Sequence, residues 1–169
     1  DASLEAQSPE QTRIEMMAHN GSVIEVRKEN GAWTVVPDSQ YARRITLDTE
    51  MGISGPAAGH DRLKTNADPT GTKVFGTINN CAGGKTPWGT WLTCEENFNQ
   101  YFANNALVAD PAIRALHARY GVTNGPTGRR WEAFYDRFDA SKEPNEPFRF
   151  GWVVEIDPYD PTFVPRKRT

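Results

Sequence analysis

The dipeptide Asn30-Gly31 places a tight local restriction on how this chain can fold. It lies between two short segments in which apolar residues recur, 23–26 and 33–36. Asn and Gly both tolerate the positive φ angles of a two-residue type I′ turn, and such turns match the twist of antiparallel strands. The sequence therefore predicts a β-hairpin centred on residues 30 and 31.

Further short strands are predicted on both sides of a helix. Each lies beside glycine, proline or aspartate residues that are typical of turns, and together they cover residues 43–47, 73–78, 88–96 and 149–158. Asp110 can cap a helix that starts at Pro111 and stops at Gly121, and a short helical turn is predicted over 130–138. The pattern indicates a mainly β fold with a helical insertion near residues 110–120. Strand spacing alone permits a sandwich or a propeller equally well.

The charge balance of the chain does not indicate a partner. There are 22 acidic and 19 basic residues, giving a formal net charge of -3, which is too even to attract nucleic acid or an anionic membrane. No apolar stretch approaches the roughly 20 residues needed to cross a bilayer. We therefore expect neither nucleic acid nor a membrane as a partner. We also expect an extended arm or linker over the polar residues 1–18, followed by one domain over 19–169.

Residues 76–97 concentrate groups that can carry chemistry. They include Cys81, Cys94 and the adjacent carboxylates Glu95 and Glu96, around a glycine-rich turn. Sulfur favours iron or zinc and carboxylates accept iron or calcium, so a metal site is one interpretation. Side chains alternate along a strand, so only one of the two glutamates should reach Cys81. The alternative is a Cys81–Cys94 disulfide, or two thiols buried as small apolar groups.

Other polar residues are assigned structural roles. His19 and His60 lie beside glycine-containing turns, where hydrogen bonding within the turn is the expected role. Glu155 is expected to point to water, and the basic residues 166–168 to form a solvated segment. The aspartates are expected to stabilise turns rather than to bind calcium; they are Asp61, Asp68, Asp157 and Asp160.

From about residue 15 onward, phrases of the sequence resemble the PhoX alkaline phosphatases, in the same order. The block from Asn79 to Asn97 is the most specific part of the resemblance. The matching phrases are HNGSVIEV (19–26), ISGPAAGH (53–60), NNCAGG (79–84), TPWGT (86–90), EEN (95–97) and FGWVVEIDP (150–158).

The resemblance implies a six-bladed, β-propeller-like enzyme that hydrolyses phosphate monoesters with iron and calcium. The family is exported through the twin-arginine route, which implies a periplasmic or extracellular location. On the matching block the role of iron ligand falls to Cys81, with Glu95 or Glu96 as acidic ligands. In such a centre the metals neutralise phosphate oxygens and position an oxygen nucleophile. The sequence assigns no catalytic or substrate-binding side chain.

Two acidic elements of the family have no counterpart in this sequence. An Asn-His-Glu element would precede Asp1, and a His-Glu element would follow Thr169. We therefore expect an internal fragment, part of a propeller, that is inactive without the remaining blades. Exposed strand edges in such a fragment favour homo-oligomers. The competing hypothesis is a non-catalytic propeller segment with a structural Cys81–Cys94 disulfide and optional calcium binding.

Overall fold

The computed structural model describes residues 7–19 and 21–169, which form two helices and ten strands. The helices are α1 (Pro9–Ala18) and α2 (Pro111–Tyr120). The strands are β1 (Gly21–Val23), β2 (Val26–Glu29), β3 (Ala32–Val35), β4 (Arg43–Ile45), β5 (Glu50–Ser54), β6 (Lys73–Phe75), β7 (Asn80–Lys85), β8 (Trp91–Glu95), β9 (Val153–Ile156) and β10 (Arg166–Arg168). None of the helices described is long and apolar enough to cross a bilayer.

The hairpin predicted around residues 30 and 31 is confirmed. Strands β2 and β3 pair antiparallel, and Asn30 and Gly31 between them have φ angles of 50° and 85°. Both angles are positive, as a type I′ turn requires. Strands β1 and β4 flank this hairpin and pair with each other.

Six strands form the main sheet, in the order β6-β5-β10-β9-β8-β7. All neighbours are antiparallel except β10 and β5, which are parallel. Strand β10 was not predicted, because its residues Arg-Lys-Arg have no apolar pattern. The expectation of a solvated segment at 166–168 is therefore wrong: these residues lie between two other strands, and Lys167 is fully buried.

One apolar core joins the sheet to the loops and short 3-10 turns that cover it. The sheet contributes Met51, Val154 and Ile156, all nearly inaccessible to solvent. A group of fully buried aromatic side chains packs with them; its members are Tyr101, Phe102, Trp131 and Phe138. These aromatic residues lie outside the strands, so the core depends on the long connection between β8 and β9.

Helix α2 begins and ends at the predicted residues. The Asp110 side chain accepts a hydrogen bond from the backbone N–H of Ala112, and Gly121 ends the helix with φ 83°. The turn predicted over 130–138 is present as two 3-10 segments.

The extended arm expected over 1–18 is wrong for the part that the structure describes from Pro9 onward. These residues form α1, started by a capping box in which Ser8 and Gln11 exchange hydrogen bonds. Trp131 docks the helix by donating to the Glu15 carboxylate at 2.8 Å. Residues 1–6 lie outside the described residues.

The chain is thus a mixed α/β domain, with more helix and irregular structure than the expected mainly β fold. The helix near residues 110–120 is confirmed. The propeller architecture and the extent of a domain over 19–169 stay predictions.

Candidate metal-binding site

Strands β7 and β8 form a hairpin whose irregular register exposes Cys81. Asn80 lies opposite Glu95, and Gly83 lies opposite Thr93, so β7 carries one more residue than β8 over this stretch. The extra residue makes a β-bulge, a device that re-aims side chains at the edge of a sheet. At Gly83 a Cβ atom would lie 2.5 Å from the carbonyl oxygen of Leu92, so the approach of the two backbones depends on glycine.

The thiol of Cys81 lies beside the carboxylate of Glu96. This neighbouring carboxylate is the main reason that the pKa of the exposed Cys81 thiol lies above its ordinary value. Glu96 is also exposed, whereas Glu95 is buried. Of the two glutamates, Glu96 is the one beside the Cys81 thiol, and ligation of a metal by either glutamate stays a prediction.

The carboxylate of Glu95 points inward and has four hydrogen-bond donors. One oxygen accepts from the Lys167 ammonium at 2.8 Å and from the backbone N–H of Ile78 at 3.3 Å. The other accepts from the backbone N–H groups of Gly151 and Trp152, at 2.9 and 3.1 Å. These donors use the oxygens that a metal ion would need, so the structure brings Cys81 and Glu96 together but keeps Glu95 apart from them.

Both cysteines are free thiols in the structure. Cys81 is exposed and Cys94 is half-buried on β8. The structural disulfide of the competing hypothesis is therefore wrong, since the bulge directs the Cys81 thiol to the Glu96 carboxylate instead.

A thiol and a carboxylate suit iron, and the carboxylate also suits calcium, so the pair fits the metals that the resemblance implies. Two donors do not complete a coordination sphere. Within residues 7–19 and 21–169, no three His, Cys, Asp or Glu side chains converge in a group that could hold a metal ion. The described residues therefore bring two candidate donors together but do not form a complete metal site.

The histidines have structural hydrogen bonds. His60 Nδ1 accepts from the Arg62 backbone N–H at 3.1 Å, which is the expected turn contact. His19 bonds to the Glu15 carbonyl at 2.7 Å and to the Tyr101 hydroxyl at 2.8 Å. Three of the four aspartates that were predicted to stabilise turns do so, accepting from backbone N–H groups two residues on; they are Asp68, Asp157 and Asp160. Asp61 instead forms an ion pair with Lys64 at 2.7 Å.

The expectation that Glu155 points to water is wrong. It is only 4% exposed and accepts hydrogen bonds from Trp88 at 3.0 Å and from Thr90 at 2.7 Å, as well as from Arg168. Burial alone would raise the pKa of Glu155, but these donors and the positive charge of Arg168 outweigh it and hold the pKa at about 2. The donors come from β10 and from the Thr86–Thr90 turn, which a local sequence pattern does not relate to residue 155.

A mostly apolar cavity of about 390 Å³ lies beside Gly151 and Trp152. His60, Tyr120 and Phe148 also line it, but neither Cys81 nor Glu96 does. The cavity is therefore separate from the exposed thiol–carboxylate pair.

The chain is similar to known proteins in both its sequence and its fold. The model of the family "Alkaline phosphatase PhoX" matches residues 1–169. No curated protein matches the chain. Among solved structures, Pseudomonas fluorescens PhoX in complex with vanadate, a transition state analogue, is similar, with 49% sequence identity and a TM-score of 0.85. The match covers 95% of this chain but only 27% of the Pseudomonas chain. With the whole sequence matched by the family model, the chain belongs to the PhoX alkaline phosphatase family.

Proposed function

We propose that this chain is a segment of a metal-dependent phosphomonoesterase and supplies Cys81 and Glu96 to a centre of iron and calcium. The observation that carries the proposal is an exposed thiol beside an exposed carboxylate, on the block of sequence that most resembles the family. Family membership supplies the reaction class, and the pair supplies donors of suitable chemistry.

This arrangement suits a cation. The thiol lies beside the carboxylate, so a metal ion that displaced the thiol proton would meet two anionic donors already side by side. When bound, the metals would neutralise the phosphate oxygens of the substrate. The residues of this chain hold the donors at the edge strand β7 and at the end of β8, where they are accessible from outside the sheet.

The chain spans 27% of the length of the Pseudomonas protein, so further ligands would come from outside it. With a minority of the ligands, the chain would bind metal weakly and would not turn over substrate. We extend the proposal to the remaining blades of a propeller as partners, and to a periplasmic or extracellular location. A phosphate monoester is the proposed substrate, because the Pseudomonas relative binds vanadate as a transition state analogue.

Metal binding by the 169-residue chain tests the donor assignment. We expect the iron bound in equilibrium dialysis, which detects weak binding, to fall to background in Cys81→Ser and in Glu96→Gln. Cys94→Ser is the matched control, because it removes the other thiol of the same hairpin and should retain the metal. Equal iron in Cys81→Ser and the unmodified chain would overturn the assignment. p-Nitrophenyl phosphate turnover by the chain alone is expected to be absent.

A chimera tests the reaction class. The matching segment of the Pseudomonas protein would be replaced by this chain, which covers the segment at 49% identity. We expect the chimera to hydrolyse p-nitrophenyl phosphate, with loss of turnover in Cys81→Ser and retention in Cys94→Ser. A folded chimera without activity, or activity that survives Cys81→Ser, would refute the proposal.

A further inference from the structure

We infer that Glu95 is a positioning residue: paired with the buried Lys167, it fixes the distance between the two metal donors Cys81 and Glu96 without contacting the metal. This inference rests on the proposed function, because it concerns the geometry of the same donor pair. It assigns a role to Lys167 as well, a residue with no part in metal ligation.

The Glu95 carboxylate joins three segments that are far apart in the sequence. Its hydrogen bonds reach Ile78 just before β7, Gly151 and Trp152 just before β9, and Lys167 in β10. The side chains of Glu95 and Lys167 are both fully buried. A carboxylate with four donors is a fixed point in the structure, since both of its oxygens are satisfied.

These contacts fix the two donors because each donor lies close to an anchored residue. Cys81 follows Ile78 by three residues, and Glu96 directly follows Glu95. Asn79, two residues before Cys81, links the Cys81 segment to Glu96. Its carbonyl accepts from the Glu96 backbone N–H at 3.1 Å, and its side-chain amide donates to the Glu96 carbonyl at 2.8 Å. A shift at Glu95 would therefore move Glu96 away from the thiol.

Lys167 is held in place as firmly as its partner. Its ammonium also donates to the Arg149 carbonyl at 2.9 Å and lies 3.6 Å from the centre of the Phe150 ring. An ammonium cannot ligate a cation while it is protonated, so any effect of Lys167 on metal binding must act through Glu95 or the backbone. This property separates a positioning role for Glu95 from a role as ligand.

The test is a cobalt titration of the 169-residue chain, because Co²⁺ bound to a thiolate gives a charge-transfer absorption that reports the Cys81–metal bond. The variants are Glu95→Gln, Lys167→Met and the double variant, which removes both buried charges and so leaves neither unpaired. We expect each single change to raise the Kd for Co²⁺ about tenfold, as loss of a supporting contact around a metal site does. The double variant should lose about as much affinity as either single one, because both changes break the same pair.

Glu155→Gln is the matched control. It removes another buried carboxylate that is paired with a cation of β10, and the Kd for Co²⁺ should not change in the folded protein. Circular dichroism at the titration temperature confirms that each variant is folded.

Several results would overturn the inference. A loss of affinity in Glu95→Gln with none in Lys167→Met would make Glu95 a ligand. A Kd equal to that of the unmodified chain in the folded double variant, or a double variant that does not fold, would leave the pair a structural role only. If the unmodified chain shows no Cys81-dependent absorption, the proposed donor pair fails and the positioning role fails with it. The first two results leave the donor pair intact, so the two failures are distinguishable.

Discussion

Replacing Glu155 by Gln should destabilise the domain at neutral pH and remove part of its sensitivity to acid. The buried carboxylate has an ordinary pKa of 4.5 and a folded-state pKa of about 2. A group whose pKa is lowered on folding stabilises the folded state above its unfolded pKa, and this contribution is lost as the pH falls through the folded pKa. Because the shift is about 2.5 pH units, the charged form contributes about 3 kcal/mol at pH 7.

The size of the effect should depend on pH in a defined way. At pH 3 the same two pKa values leave a contribution of about 1 kcal/mol, and near pH 2 little of it remains. The stability difference between the unmodified chain and Glu155→Gln should therefore shrink by more than half between pH 7 and pH 3. Gln keeps the volume and an acceptor oxygen but has no charge to pair with Arg168.

Urea denaturation followed by circular dichroism at the two pH values measures this difference. Glu50→Gln is the control, because Glu50 also forms an ion pair with a lysine, at 2.9 Å, but both side chains are at least half exposed. Glu50→Gln should change the free energy of unfolding little at either pH. A Glu155→Gln difference that is small at pH 7, or that stays constant down to pH 3, would refute the assignment of a strongly lowered pKa to Glu155.

Three further changes test other parts of the structure. Gly76→Ala should cost about 3 kcal/mol or more in the free energy of unfolding, because Gly76 has φ 80° and a Cβ there would lie 2.2 Å from the Cα of Leu47. Gly84→Ala, with open space around it, should change the same free energy by less than about 0.5 kcal/mol in thermal melts. Asp110→Ala removes the cap of α2 and should cost about 1 kcal/mol, with faster hydrogen exchange confined to that helix. Thiol titration in denaturant without reductant should find both cysteines free; a count of zero would show that they form a disulfide.

Elements with a complete local signal were predictable from the sequence. The β2–β3 hairpin needs only Asn30-Gly31 between two apolar segments, and α2 needs only Asp110, Pro111 and Gly121 at its ends. In each case the signal and the element lie within about a dozen residues. Neither the hairpin nor the helix depends on contacts with distant parts of the chain for its prediction.

Strands β7 and β10 lack such signals. Residues 80–85 read Asn-Cys-Ala-Gly-Gly-Lys, without a β-branched or aromatic residue, and become a strand because β8 supplies a partner. Residues 166–168 are all basic. They form a strand because their backbone pairs with β5 and β9, and because acidic side chains pair with Lys167 and Arg168. Patterns based on hydrophobicity do not detect strands of this kind.

The candidate site was predictable only in part, for the same reason. Alternation along β8 predicts that a single glutamate reaches Cys81, but which one depends on the bulge in β7 and on what lies on the inner face. The inner position is set by Lys167, which is 72 residues from Glu95 in the sequence. A local pattern therefore gives the alternation but not the choice between Glu95 and Glu96.

Charge pairing around β10 also explains how this strand keeps its register. Arg168 lies on the sheet face that carries Glu155, and Lys167 lies on the opposite face with Glu95. A slip of one residue would exchange the two faces and bring an arginine to the fully buried position where the Lys167 ammonium now donates to Glu95 and to the Arg149 carbonyl. A planar guanidinium does not reproduce the contacts of a compact ammonium in a closed space, so the Lys167 position disfavours odd-numbered slips. The proposed positioning pair, Glu95 and Lys167, therefore also helps to select the correct alignment of the strand that provides its cation.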